Sequence, residues 1–184
     1  MTTHADLVEV FGEHRVFQIP ISHLENTPLP EASRTDLSEI GLPEVVRDAV
    51  YISNEIAEDF PLYADWCQKY GLRHSAESGS FFRLGHWRGG SVCMEPETGK
   101  VFYVSPYEET EIHPMNSSPG QLGTCMMIAH RDSEPCDFMP LRIALAERER
   151  IIQRLIEVDE QTVRPDNSVW RVLTEEVTGA QYRP

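Results

Sequence analysis

Ser80-Phe81-Phe82-Arg83-Leu84, Ser91-Val92-Cys93-Met94 and Lys100-Val101-Phe102-Tyr103-Val104 are three apolar runs of strand length. Gly85, the pair Gly89-Gly90 and the turn Glu95-Pro96-Glu97-Thr98-Gly99 separate them. Aromatic and β-branched residues bounded by glycine and proline read as strands, and turns this short join neighbours, so the stretch predicts an antiparallel meander. Asn116-Ser117-Ser118-Pro119 then supplies helix-start chemistry. With Ser118 as the cap, Pro119 takes the first helical position, where no N–H is needed, and Gln121 reaches back to the cap's own N–H. Leu122, Cys125, Met126 and Ala129 make an apolar stripe that Met127 and Ile128 widen, so this helix is expected to be largely buried. The fold class that follows is α+β: one domain over residues 1–184, with a mostly antiparallel central sheet flanked by N-terminal and C-terminal helices.

The flanks supply those helices. Leu7, Val10 and Phe11 share one face of a short helix that Gly12 ends, and Val16 to Ile19 reads extended into Pro20, with loop from Ser22 to Pro30. Ser33, with Asp36 three residues on, starts a helix carrying Leu37 and Ile40, which Gly41 and Pro43 stop. Val45 to Ile52 fits a helical turn followed by a short strand about as well as it fits other divisions, and its boundary stays open. Leu62, Trp66 and Tyr70 fall at helical spacing after Pro61, and Gly71 closes that helix. Phe138, Leu141, Leu145, Ile152, Leu155 and Ile156 mark a longer amphipathic helix with Glu147, Glu149, Arg150 and Arg154 on its other face. A final helix, capped by Asp166 or Asn167, buries Trp170, Leu173 and Val177.

Length and composition bound the function. At 184 residues and 40% apolar the chain has enough for one sizeable core. A formal net charge of −14 repels nucleic-acid phosphates and anionic lipid, and it favours a basic partner. Cys67, Cys93, Cys125 and Cys136 form no Cys-x-x-Cys pair and have no zinc-finger histidine spacing. They read as reduced, partly buried thiols, although two disulfides remain conceivable. No secretory signal opens the chain and no run approaches the ~18 apolar residues of a membrane span, so a cytoplasmic location is expected.

Catalytic signatures do not assemble. The seven histidines offer no pair at i, i+4 on a predicted helix, and no metal or other cofactor is expected. Ser117 and Ser118 lack a nucleophile elbow, and helix capping accounts for both. Gly85, Gly89 and Gly90 open no helix and precede no phosphate-binding lysine. Trp87 and Arg88, at the tip of a turn, have two readings. Either they are exposed interface anchors, or Trp87 folds back over the sheet edge while Arg88 pairs with a carboxylate. Glu95, Glu97, Glu108, Glu109 and Glu111 lie on turns beside the same strands, either as solubilising charge or as a complement to a basic partner. Trp87, Arg88 and these five glutamates are the candidate partner-binding residues.

Leu84-Gly85 ending a strand, Thr98-Gly99-Lys100-Val101 at a hairpin and Asn116-Ser117-Ser118 before a helix resemble the core of the SUKH superfamily, especially its fourth subgroup of bacterial immunity proteins. Leu37-Ser38-Glu39-Ile40-Gly41-Leu42-Pro43 upstream, and Val158-Asp159 followed by Trp170 downstream, are similar to the flanks of that domain, so the resemblance is strongest over residues 16–173. Pro119-Gly120 departs from the apolar or acidic helix formers more usual there. The resemblance implies a SUKH-like fold and a non-catalytic immunity protein that binds and neutralises a cognate bacterial toxin domain, a nuclease or a nucleic-acid or nucleotide deaminase. It implies a toxin partner with a basic surface, and no nucleic acid, membrane or small-molecule substrate. A regulatory or scaffolding interaction module unconnected to toxins is the alternative, and an enzyme without a motif is a third.

Overall fold

The computed structural model describes residues 2–47, 49–105, 112–133 and 141–178. The chain opens with α1 (His4–Phe11), capped by a reciprocal pair in which the Thr3 hydroxyl accepts from the Asp6 amide and the Asp6 carboxylate accepts from the Thr3 amide. It continues through β1 (Val16–Phe17), α2 (Ile21–Leu24), where loop was expected, and α3 (Glu31–Thr35). This third helix begins two residues before Ser33 and runs into a π-helical turn at Asp36–Ile40 that ends at Gly41. β2 (Leu42–Pro43) returns to pair with β1.

The ambiguous segment resolves as a tight hairpin of β3 (Val45–Val46) and β4 (Val50–Ile52). Arg47, at its turn, has φ of 44°. Its side chain donates to the carbonyls of His130 and Ser133, satisfying the open end of a helix more than eighty residues on. Three short helices follow: α4 (Glu55–Glu58), α5 (Tyr63–Tyr70) and α6 (Ala76–Gly79). The buried stripe of α5 is Tyr63 and Cys67, while Leu62 and Tyr70 stand exposed and Trp66 is half-buried. Periodicity had marked Leu62, Trp66 and Tyr70 instead, because it cannot tell which of two adjacent stripes meets the sheet.

The meander runs β5 (Phe82–Trp87), β6 (Gly90–Met94), β7 (Val101–Val104) and β8 (Ile112–Asn116), a fourth strand that the apolar pattern did not announce because His113 and Pro114 interrupt it. Together with the β3–β4 hairpin it makes a six-stranded antiparallel sheet in sequence order. Leu84, Val92, Met94, Val101 and Met115 pack one face of that sheet into the main core. Cys93, with Phe102 and Val104, lines a second, smaller cluster with Tyr63, Cys67 and Phe81.

α7 (Pro119–Asp132) lies across the main core with Leu122, Cys125, Met126 and Ala129 buried, as its stripe predicts. α8 (Leu141–Val158) buries Ala144, Ile151, Ile152 and Leu155 but leaves Leu145 46% exposed, so Leu145 is not part of its core face. Phe138 lies outside the described residues. After α9 (Glu160–Val163), α10 (Val169–Val177) is capped by the Ser168 hydroxyl rather than by Asp166 or Asn167, and it buries Trp170 and Leu173. Cys67, Cys93 and Cys125 are free, buried thiols, and Cys136 lies outside the described residues. The architecture is α+β: early segments (Leu24, Leu37) and the late helices α7, α8 and α10 share the main core on one face of the antiparallel sheet, while α5 packs with Cys93 and Val104 in the smaller cluster.

Candidate partner surface

The β5–β6 turn is tighter than its two glycines suggested. Trp87 still pairs with Gly90, so only Arg88 and Gly89 turn the chain, with φ of 47° and 78°. Two successive positive φ values match the right-handed twist of a hairpin, and glycine takes the second at no steric cost. Gly85, read as a strand end, instead lies within β5, beside a register skip between Arg83 and Gly85.

Trp87 is 4% exposed, so the exposed-anchor reading does not hold for its ring. It packs edge-on against Tyr103, with ring centroids 5.1 Å apart, and its indole Nε1 donates to Glu176 of α10 at 2.8 Å. The cause is strand alternation: ending β5 on the core side puts the ring over the main cluster. Arg88 stays half-exposed and pairs with the same Glu176 carboxylate, so one acid ties the hairpin tip to the last helix. No sequence spacing links positions 87 and 176, which is why Glu176 escaped notice.

Glu95 and Glu97 sit on the turn at the far end of β6 from Arg88. Glu97 is exposed, while Glu95 accepts a hydrogen bond from the Thr98 hydroxyl within its own turn. The tip and this acidic turn are therefore separated by the length of a five-residue strand, roughly 13 Å at the usual rise. Glu108, Glu109 and Glu111 lie outside the described residues.

The serines are structural. Ser118 caps α7 by accepting from the Gln121 amide at 3.2 Å, but the Gln121 side chain donates to the Val158 carbonyl instead of closing a capping box. Gly120 is explained by Asp36, whose buried carboxylate accepts its amide at 2.8 Å and sits 2.7 to 2.9 Å from where a Cβ would be. Burial raises the Asp36 pKa, and the Gly120 amide partly opposes this. Ser117 donates amide and hydroxyl to Asp159, at 2.7 and 2.9 Å. Asn116 reaches Asp159 through its amide nitrogen and accepts from the Trp170 indole through its oxygen. Ser117 thus spends both of its donors on a buried carboxylate.

One charged residue hid in plain sight. Arg83, between Phe82 and Leu84 on β5, is 5% exposed and lines a cavity beneath α5. An arginine at an alternating position of a buried strand was the available signal. Among the described residues no group of three or more His, Cys, Asp or Glu side chains is placed to hold a metal ion, and no helix is long and apolar enough to cross a membrane.

Comparison with curated proteins and with solved structures gives no match. A family model described as SUKH-4 immunity protein matches residues 2–176, nearly the whole chain and every element from α1 into α10. The chain belongs to the SUKH-4 immunity protein family.

Proposed function

We propose that this immunity protein acts in the cytoplasm as a stoichiometric, non-catalytic blocker of a toxin domain that works on nucleic acids or nucleotides, a nuclease or a deaminase. The family match over residues 2–176 carries the immunity role. The net charge of −14 supports the toxin class, because a domain that grips phosphates presents Lys and Arg around its active site. An acidic blocker is steered toward such a surface and leaves nucleic acid itself alone.

In this reading Arg88, Glu95, Glu97, Glu108, Glu109 and Glu111 face the partner. Trp87 contributes from behind, by fixing the tip through Glu176, rather than as an inserted anchor. A cognate toxin domain, purified and passed over the immobilised protein, is expected to bind with an association rate that falls steeply from low to physiological salt. At 0.15 M the Debye length is ~8 Å, enough to screen a steering field. Neutralising Glu97, Glu108 and Glu109 together is expected to slow association while leaving dissociation nearly unchanged. A rate indifferent both to salt and to the triple variant refutes the electrostatic face. Failure of every nuclease or deaminase toxin domain tested to bind refutes the toxin class.

A further inference from the structure

Arg83 is a charged side chain only 5% exposed that neither capping nor apolar core packing explains. A guanidinium stays protonated in proteins, and burying it is expensive unless its donors are met. Here Nε donates to the Ser91 hydroxyl at 3.2 Å. The guanidinium carbon stacks 4.2 Å from the Trp66 ring centroid. The nearest carboxylate, Glu55, is 4.0 Å from Nη1, an ion-pair distance beyond hydrogen-bond reach. Glu55 is 42% exposed and also serves Lys69 at 3.9 Å. Among the described residues the two terminal nitrogens therefore have no hydrogen-bond acceptor. Burial pulls the Arg83 pKa below the ordinary arginine value, with Cys93 and Glu55 partly restoring it.

The free edge of this group lines a cavity of about 780 Å³, within the range of small-ligand sites. Flat faces wall it. Trp66 and Tyr70 have ring centroids 5.1 Å apart, and Tyr51 stacks on His86 at 5.0 Å with the planes only 6° apart. His86 adds little charge, because burial and then Arg83 lower its pKa. Glu44 and Glu55 also border the space, and Arg15 stands 3.7 Å from Glu44. That leaves, among the described lining residues, the Arg83 guanidinium as a fork whose terminal nitrogens make no hydrogen bond. A phosphate dianion would meet two carboxylates with a single guanidinium to balance it, whereas a carboxylate matches the fork in both charge and plane.

We propose that this cavity is a binding site for a single carboxylate carried on a flat, apolar body, with Arg83 holding the carboxylate and Trp66, Tyr70 and the Tyr51–His86 pair holding the body. The carboxylate belongs either to a free aromatic acid or to an acidic side chain of a protein partner. The inference stands apart from the toxin reading, because its test needs no toxin.

Benzoate and benzamide are titrated into the full chain with tryptophan fluorescence and calorimetry as readouts, beside a capped glutamate–phenylalanine dipeptide and its glutamine counterpart. Benzoate is expected to saturate the wild-type signal and to bind at least about tenfold more tightly than benzamide. Arg83→Lys, which keeps the charge but loses the fork, is expected to weaken it about tenfold. Because Arg83 is buried, Tyr70→Ala is the companion variant: Tyr70 is 55% exposed, its replacement spares the core, and it too is expected to weaken benzoate severalfold. Preference for the dipeptide acid over benzoate, with the same loss in both variants, assigns the carboxylate to a partner side chain. The proposal is overturned if neither acid binds better than its uncharged counterpart, or if both variants bind like wild type.

Discussion

Asp159 is the acceptor on which two distant parts of the chain close, and its removal tests whether that closure holds the fold. Its carboxylate is 3% exposed and takes three hydrogen bonds: the Ser117 amide at 2.7 Å, the Ser117 hydroxyl at 2.9 Å and the Asn116 side-chain amide at 3.4 Å. A hydrogen bond to a charged group nets about 1.5–3 kcal/mol, and the long third bond counts for less. Two good bonds give roughly 3–6 kcal/mol, from which the cost of keeping the carboxylate dry must be subtracted. Asp159→Ala is therefore expected to cost about 3–4 kcal/mol, since it strands two part-buried donors of Ser117 and a buried one of Asn116. Asp159→Asn keeps one acceptor oxygen but turns an NH₂ toward a donor, so about 2 kcal/mol is expected. Ser117→Ala retains the amide bond and loses only the hydroxyl, at about 1 kcal/mol. Urea unfolding at constant m-value reads the series directly, because a loss of 3 kcal/mol moves the midpoint by about 1 M or more at typical slopes. The reasoning is refuted if Asp159→Ala costs less than ~1 kcal/mol, or if Asp159→Asn is more stable than wild type, which would mean that desolvation of the charge outweighs its bonds.

Gly120→Ala is expected to destabilise by about 1–3 kcal/mol, against the ~1 kcal/mol that alanine normally gains over glycine in a helix, because its Cβ meets the Asp36 carboxylate. In an Asp36→Ala background the sign should reverse, and thermal melts of the four variants check it. Trp87→Ala is expected to cost about 3–5 kcal/mol as a core deletion, whereas Arg88→Ala, which breaks a half-exposed ion pair, should cost under ~1 kcal/mol by the same assay. Among the described residues the buried His130 Nδ1 has no hydrogen-bond partner, and burial, then Arg47 and Arg15, lower its pKa from 6.5. The unfolded chain then binds a proton that the folded one resists, so stability is full above pH 6.5 and falls as pH drops through that value toward the folded pKa. A melting-temperature profile from pH 8 to 5 should show that loss in the wild type and a smaller one in His130→Phe.

The meander and the capped helix were legible because their signals are local. Turn residues lie within two to five positions of the strands they join, and Ser118-Pro119 needs only its own neighbours to start α7. Where the reading missed, the deciding partner is far away in sequence. Gln121 has the spacing of a capping box, yet Val158 competes for its side chain and wins. Leu62 and Tyr70 have the spacing of a buried stripe, yet α5 is rotated so that Tyr63 and Cys67 meet the sheet. At the candidate surface the orientation of the side chains depends on the pleat: β5 runs two residues past Gly85, which sends Trp87 inward and leaves Arg88 at the tip. Arg83 was present in the quoted strand and went unread, since a charge on a strand normally signals the solvent face.

Three of the short pieces that resemble the family are joined in the structure. Asn116 and Ser117 from the end of β8, Asp159 from the end of α8 and Trp170 from α10 meet in one buried network, in which Trp170 also donates to the Met115 carbonyl at 3.0 Å. Each piece satisfies polar groups that the others would leave orphaned, so losing one makes the rest costly. This network sits at the end of the sheet where Asn116 pairs with Val101 and Val101 with Met94. The Arg88 tip stands at the other end, where Trp87 pairs with Gly90 and Ser91 with Val104. Fold-holding residues and the exposed tip are thus separated along the strands. Substitutions at Arg88 therefore loosen the Glu176 tie to α10 but leave the Asp159 network, which joins β8 to the chain after α8, untouched.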